Sequence, residues 1–306
     1  MKILYAGSSQ SSSLILESLI AGSNEVIGVI SQPDKRTKRR ASAEPSYVSS
    51  IAEKNGVNVY KPQNLDENFK ETILQLKFDI LLVAAYGKIL PEWLLKTPSK
   101  DSINIHYSLL PKYRGASPIQ SALLNGEKIT GISIMRMTAG LDEGPVFVFH
   151  TQEILNSDNK NTLEKKLTSL SIKNIEKDLS NIYLDKIVPI KQDLKNISYC
   201  KKIDKLSGRI NFDQEGADNI LRKFKAYYGW PGLYFEWKGL KIKIHGIAIN
   251  KNNNTSNTNN KFYFQDNLLV AKTSDRSIVI THLQFPGKGI ISSKDAANSY
   301  ADFFQD

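Results

Sequence analysis

Cysteine is nearly missing: Cys200 is the only one in 306 residues. A lone thiol excludes an intrachain disulfide and any cysteine-based metal cluster, and it suits a reducing compartment. Without an electropositive niche around it, it reads as a small buried apolar group rather than a nucleophile. Long apolar runs are missing too. No stretch approaches the ~20 apolar residues that a helix needs to cross a bilayer, and the run at Met1–Gly7 is too short for a signal peptide. A cytoplasmic chain without a membrane partner is therefore expected. The G-x-G-x-x-G turn of dinucleotide-binding folds is absent, since Gly7-Ser8-Ser9 follows the first apolar run, and this disfavours a nicotinamide cofactor. No repeat of solenoid period occurs either.

What is present is ordinary globular material, 41% hydrophobic and 24% charged. The length exceeds what one hydrophobic core supports, which argues for a large domain and a smaller one. Lys and Arg number 41 against 31 Asp and Glu, a net charge of +10. That excess favours an anionic partner, or is surface lysine serving solubility.

In the first half, short apolar runs at 3–6, 26–30, 80–85 and 103–105 alternate with amphipathic stretches at 11–19, 45–54, 68–76 and 116–124. This alternation predicts a parallel sheet wrapped by crossover helices. Two further strands are predicted at 132–137 and 146–149, and a long helix from about 161 to 183. Beyond it the composition turns to Lys and Asn, which puts a boundary near 186–205. Then come one helix at 218–228 and strand-like segments at 233–237, 240–249, 261–264, 268–271 and 277–283, a pattern suited to a small antiparallel barrel or sandwich. The polar run Asn250–Asn260 reads as a loop and carries no chemistry.

Asn104 and His106 stand one residue apart on a predicted strand, so both side chains leave one face while Ile103 and Ile105 leave the other. Alone, such a pair is as well explained by a hydrogen-bonded strand end. The following Ser108-Leu109-Leu110-Pro111-Lys112-Tyr113-Arg114-Gly115 adds a Pro/Gly-bounded loop whose amides can face a ligand. Asp142, in Ala139-Gly140-Leu141-Asp142-Glu143-Gly144-Pro145, is by itself a turn aspartate. Together the three form a set suited to acyl transfer: a carboxylate to manage protons, an imidazole, and a neutral amide for an oxyanion.

The segments Asn104–Pro111 and Gly140–Gly144 resemble the catalytic motifs of the folate-dependent formyltransferases, and the resemblance runs from Met1 to about Phe285. It implies an α/β catalytic domain, 1–188, with a Rossmann-like, mostly parallel sheet and helices on both faces. A linker, 189–205, and a small OB-like β-barrel domain that binds tRNA, 206–306, would follow. It implies Asn104, His106 and Asp142 as the catalytic residues and 10-formyltetrahydrofolate as formyl donor, with no metal. Ser108, Leu109, Leu110 and Pro111 would hold the folate, with Ile89 and Leu90 walling its pterin pocket.

Several members of the family share this site and differ in acceptor. Gln32-Pro33-Asp34 followed by Lys35-Arg36-Thr37-Lys38-Arg39-Arg40 resembles the acceptor-stem loop of the tRNA-formylating members. Five of those last six residues are cationic, a density that repels itself unless it is solvated or faces phosphates. Lys35, Arg36, Lys38, Arg39 and Arg40 are thus the expected tRNA contacts. Gly208–Phe212 and Ala226–Gly232 resemble the start of the C-terminal domain of those members. Lys238, Lys241 and Lys243 fall at near-alternating positions of a predicted hairpin, as a cationic face or an ordinary solvated one. The resemblance therefore implies methionyl-initiator tRNA as acceptor; separately, a monomer is expected. Two alternatives remain at this point: formylation of a nucleotide-linked amino sugar, and a non-catalytic basic RNA-binding protein.

Overall fold

A computed structural model describes residues 1–36, 42–250 and 260–305. Contacts divide the chain into two units. The first comprises Met1–Pro118, Lys128–Leu155 and Thr162–Lys201, and the second Ile119–Glu127, Asn156–Asn161 and Lys202–Asp306.

The first unit is built on a seven-stranded sheet. In chain order its strands are β1 (Lys2–Gly7), β2 (Glu25–Ile30), β3 (Val59–Tyr60), β4 (Ile80–Ala84), β5 (Asp101–His106), β6 (Ile129–Arg136) and β7 (Val146–Glu153). The spatial order is β7-β6-β5-β4-β1-β2-β3. From β5 to β3 the pairs are parallel, whereas β6 runs antiparallel to β5 and β7 antiparallel to β6. β1 and β4 occupy the middle and are almost wholly buried, as continuous apolar strands of a two-sided sheet must be.

Helices cover both faces. α1 (Gln10–Ile20) lies on the face of Tyr5, whose buried hydroxyl donates to the Ser12 carbonyl at 2.8 Å. α3 (Glu67–Leu74) delivers Ile73 to the other face, where Leu4, Ala6, Leu81, Val83 and Leu90 pack. α1, α2 (Tyr47–Lys54) and α3 each begin at a side chain that accepts a free amide of the first turn: Ser9 from Ser12, Ser46 from Ser49, Asp66 from Phe69. A short helix, α4 (Pro118–Leu124), precedes β6, and α5 (Lys160–Tyr183) follows β7.

After α5 the chain does not leave the first unit at once. Segment 189–201, read from sequence as part of a linker, straps back across it. Ile190 pairs with Val146, and Tyr199–Cys200 forms a parallel two-residue ladder with Arg114–Gly115.

The second unit holds α6 (Ala217–Ala226), strands β8 (Leu233–Trp237), β9 (Leu240–Ile249), β10 (Phe262–Gln265), β11 (Leu268–Lys272), β12 (Ser277–Gln284) and β13 (Ile290–Ser292), and helix α7 (Ser293–Phe304). The sheet runs β8-β9-β12-β11-β10, antiparallel throughout, with β13 also on β12. Among the described residues no ladder joins β8 to β10. Phe262 nevertheless meets Phe235 at 5.1 Å and Trp237 at 4.7 Å between ring centroids, so the sheet curls until its edges touch through aromatic rings. α7 is absent from the sequence reading. Its start was legible as a capping box, in which Ser292 and Asp295 bond each other's amides.

Candidate active site

The site forms where β5 ends. Asn104 is half-buried and His106 is 5% exposed, side by side on one face of the strand, while Ile103 and Ile105 are buried on the other. The loop between β6 and β7 brings Asp142 to them. Asp142 Oδ1 accepts from Asn104 Nδ2 at 3.5 Å. Its Oδ2 accepts the Gly115 amide at 2.8 Å and lies 3.7 Å from His106 Nδ1. His106 Nε2 sits 2.9 Å from the Tyr113 carbonyl. A carbonyl only accepts, so Nε2 carries the hydrogen of that bond, and Nδ1 is the nitrogen turned to Asp142.

The backbone that holds these groups takes positive φ at three places, of which Tyr113, the partner of His106, is one at +61°. Asp142 has φ +48°, a left-handed conformation that Asp tolerates better than most residues. Gly115 has φ +116°, and a Cβ there would meet the Cys200 carbonyl oxygen at 2.4 Å. Only glycine fits beside that strap, and its amide is the one that grips Asp142.

Three residues that sequence reading did not single out support the site. Arg114, 3% exposed, donates from Nε and Nη2 to Gln192 Oε1 at 3.0 and 2.8 Å. Gln192 Nε2 donates to the Asp142 and Gly144 carbonyls at 2.8 and 2.7 Å. Ser133, fully buried on β6, donates to the Ser108 carbonyl at 2.6 Å and accepts the Leu110 amide at 3.0 Å. Arg114 stands within the loop already marked by sequence. Gln192 carries no local signal, because its partners lie 48 to 78 positions away in the chain.

The expected folate residues separate by role. The Ser108 hydroxyl is buried and donates to the Lys112 carbonyl at 2.7 Å, and Leu110 packs on Met135 and Val146. These two are internal struts, while Leu109 and Pro111 are half-buried. Ile89 is 89% exposed whereas Leu90 is 6% exposed, packed with Leu81, Val83 and Leu94. The two do not face one pocket: Leu90 belongs to the core, because neighbouring positions here point to opposite sides. Lys35 and Arg36 are exposed on a two-residue strand paired with Ala43–Glu44, and Lys35 Nζ bonds Gln32 Oε1. Lys38, Arg39 and Arg40 lie outside the described residues. Lys241 stands 3.5 Å over the Tyr234 ring, a cation–π contact that occupies one of the hairpin lysines. Among the described residues no cluster of His, Cys, Asp and Glu is arranged to hold a metal.

Proteins to which this chain is similar include formyl transferases. The formyl transferase family model matches residues 1–177, and the model of the formyl transferase C-terminal domain matches residues 202–301. A methionyl-tRNA formyltransferase of Buchnera aphidicola subsp. Acyrthosiphon pisum (strain Tuc7) is 36% identical over 307 residues, spanning 100% of this chain and 98% of its own. The methionyl-tRNA formyltransferase of Caldicellulosiruptor saccharolyticus is 38% identical over 98% of this chain and 97% of its own. Among solved structures, the N-formyltransferase of Helicobacter canadensis, in complex with folinic acid and dTDP-3-aminofucose, superposes with a TM-score of 0.67 at 20% identity, covering 92% of this chain and 98% of that one. At that identity the likeness is one of fold.

Proposed function

The chain belongs to the formyl transferase family, and from that premise we propose that it transfers the formyl group of 10-formyltetrahydrofolate to the amino group of methionyl-initiator tRNA. The observation that carries the chemistry is the convergence of Asn104 and His106 on the Asp142 carboxylate, oriented by the Gly115 amide. Identity to tRNA-formylating relatives along essentially the whole chain supports the acceptor.

The folate supplies the formyl carbon and, at N10, the leaving group. Its uncharged pterin suits the loop after β5, where backbone amides and half-buried Leu109 and Pro111 border the site. Asn104 Nδ2 donates to the formyl oxygen as negative charge develops there, and His106 joins it as a donor once Nδ1 has taken up a proton. Asp142 takes the proton released by the attacking amine, directly or through one water, and shares it with His106 Nδ1. That proton then passes to N10 as the bond to the formyl carbon breaks. In this reading the enzyme works as a monomer in the cytoplasm. The basic residues Lys35, Arg36, Lys38, Arg39 and Arg40, together with the domain after residue 206, hold the tRNA.

The test mixes purified protein with 10-formyltetrahydrofolate and offers methionyl-tRNA and nucleotide-linked amino sugars in competition. Formylmethionyl-tRNA as the product supports the reading. A formylated sugar replaces the acceptor, and salt-sensitive RNA binding without transfer removes the enzyme. Replacing the five basic residues at 35–40 with Gln weakens tRNA use and flattens the dependence of log(kcat/KM) on log[salt] by ~0.7–0.9 per lost phosphate contact, with KM for the formyl donor unchanged. Unaltered salt dependence would remove the loop from the tRNA interface.

A further inference from the structure

We propose that Gln192, oriented by Arg114, is a positioning residue that holds the catalytic carboxylate of Asp142 in reacting register. The proposal rests on the reading of Asp142 as the proton acceptor. Gln192 lies outside the sequence motifs of the site, and Arg114 lies within the loop after β5 without an assigned role.

Asp142 sits in a glycine-bounded loop at φ +48°, so its local backbone preference does not decide where the carboxylate points. Two carbonyls of that loop, at Asp142 and Gly144, turn to the Gln192 amide, and each takes one of its two N–H groups. A side-chain amide in this place has two possible orientations, and one of them sets oxygen against two carbonyl oxygens. Arg114 selects the other. Its buried guanidinium gives two N–H groups to Gln192 Oε1 and so leaves the NH2 end for the loop.

Arg114 is also the residue before Gly115, whose amide grips Asp142 Oδ2 at 2.8 Å. One dipeptide thus fixes Asp142 twice: its carboxylate through an amide, its main chain through Gln192. The strap bearing Gln192 is pinned on both sides, by the Ile190–Val146 pairing and by Tyr199–Cys200 against Arg114–Gly115. Gln192 lies between these two anchors, two residues after Ile190, and reaches the loop that carries the base through its side-chain amide.

A misplacement of ~1 Å at a reacting group costs ~10²-fold in rate. Removing the Gln192 donors is therefore expected to lower kcat by about 10–100-fold with KM for 10-formyltetrahydrofolate within about twofold of wild type. Two variants of the full chain test this. Gln192→Met removes both ends of the amide. Gln192→Glu keeps an acceptor for Arg114 but has no N–H for the two carbonyls, so it reports on the clamp even where the Met variant fails to fold. Each is made in the wild-type and the Asp142→Asn backgrounds, and single-turnover formyl transfer to methionyl-tRNA is measured.

The expected result is a loss on the wild-type background that disappears on Asp142→Asn, because a residue acting only through the carboxylate has nothing left to position. The same fold-loss on both backgrounds would show a general structural role and overturn the proposal. Wild-type turnover in Gln192→Glu, beside a slow Asp142→Asn, overturns the clamp alone. Wild-type turnover in Asp142→Asn itself overturns the reading of the carboxylate, and the clamp with it.

Discussion

Gly115→Ala concentrates the reasoning about the site in one methyl group. A Cβ at this position falls 2.4 Å from the Cys200 carbonyl oxygen and 3.5 Å from its carbonyl carbon, both backbone atoms of a paired strap that has no flexible end to swing aside. The dihedral adds to the clash, since φ +116° is a conformation that side-chain-bearing residues rarely adopt, costing ~1–3 kcal/mol. With the steric displacement the expected destabilisation is ~2–4 kcal/mol, or roughly 5–15 °C in Tm for a unit of this size. Activity should fall by more than stability implies. The strap or residue 115 must move, and either motion disturbs the 2.8 Å bond from the Gly115 amide to Asp142. A hydrogen bond to a charged group contributes ~1.5–3 kcal/mol, so kcat at a temperature well below Tm should drop by about 10–100-fold. Gly56→Ala is the control: φ there is +69° but a Cβ meets nothing within 4 Å. It should lose stability modestly, by ~1 kcal/mol, and keep kcat. The assay pairs calorimetric Tm with steady-state formyl transfer. A Gly115→Ala enzyme with wild-type Tm and kcat would refute the claim that this glycine is required by the strap and orients the carboxylate.

Three further outcomes are expected. His106→Ala should lower kcat by ~10²–10³, the scale of losing one donor to a developing oxyanion, beside a stability loss of ~1–3 kcal/mol for the buried bond to the Tyr113 carbonyl, and near-wild-type turnover with charged initiator tRNA would remove it from the mechanism. Ser133→Ala deprives the Ser108 carbonyl and the Leu110 amide of a buried partner, so it should cost ~1–3 kcal/mol in stability and raise KM for the formyl donor more than it lowers kcat; an unchanged KM would argue against this loop as a folate contact. In the second unit, the Ala217 amide and then the Thr273 hydroxyl hold the Asp275 carboxyl below its ordinary range. A depressed folded pKa gives stability that is present above the unfolded carboxylate pKa and lost as pH falls through the folded one. Asp275→Asn should therefore lower Tm at pH 7 and converge on wild type as pH falls through the depressed folded pKa of the carboxyl, and a Tm gap independent of pH would exclude the linkage.

Much of the architecture was legible because it follows short-range rules. The strands at β1, β2, β4 and β5 announce themselves as apolar runs, and the helices between them by caps and periodicity. The antiparallel insertion of β6 between β5 and β7 carries no such mark: a strand reads alike in either direction, and pairing is settled by which edge is open when the chain returns. The strap at 189–201 reads as linker because it is polar and lacks a period of its own, and its pairing is with residues far away in the chain. α7 escapes the sequence reading although Ser292 and Asp295 form its cap, because the residues that dock it are sparse: Ala296 near the start, Tyr300 stacked on Phe285, and Phe303 and Phe304 at the end.

The catalytic set divides in the same way. Asn104 and His106 share a face because successive side chains on a strand alternate, and two positions in the sequence suffice to say so. Family resemblance could attach Asp142 to them, but its approach to 3.5 and 3.7 Å is a property of the folded sheet, which sets the end of β5 beside the loop between β6 and β7. Gln192 is the extreme case. Nothing around it distinguishes it from any other glutamine on a polar segment, and it acquires a role only when the strap lays its amide between a buried guanidinium and two carbonyls. Local periodicity and composition specify elements and faces, whereas the placing of a proton acceptor to a fraction of an ångström belongs to contacts between residues distant in the chain.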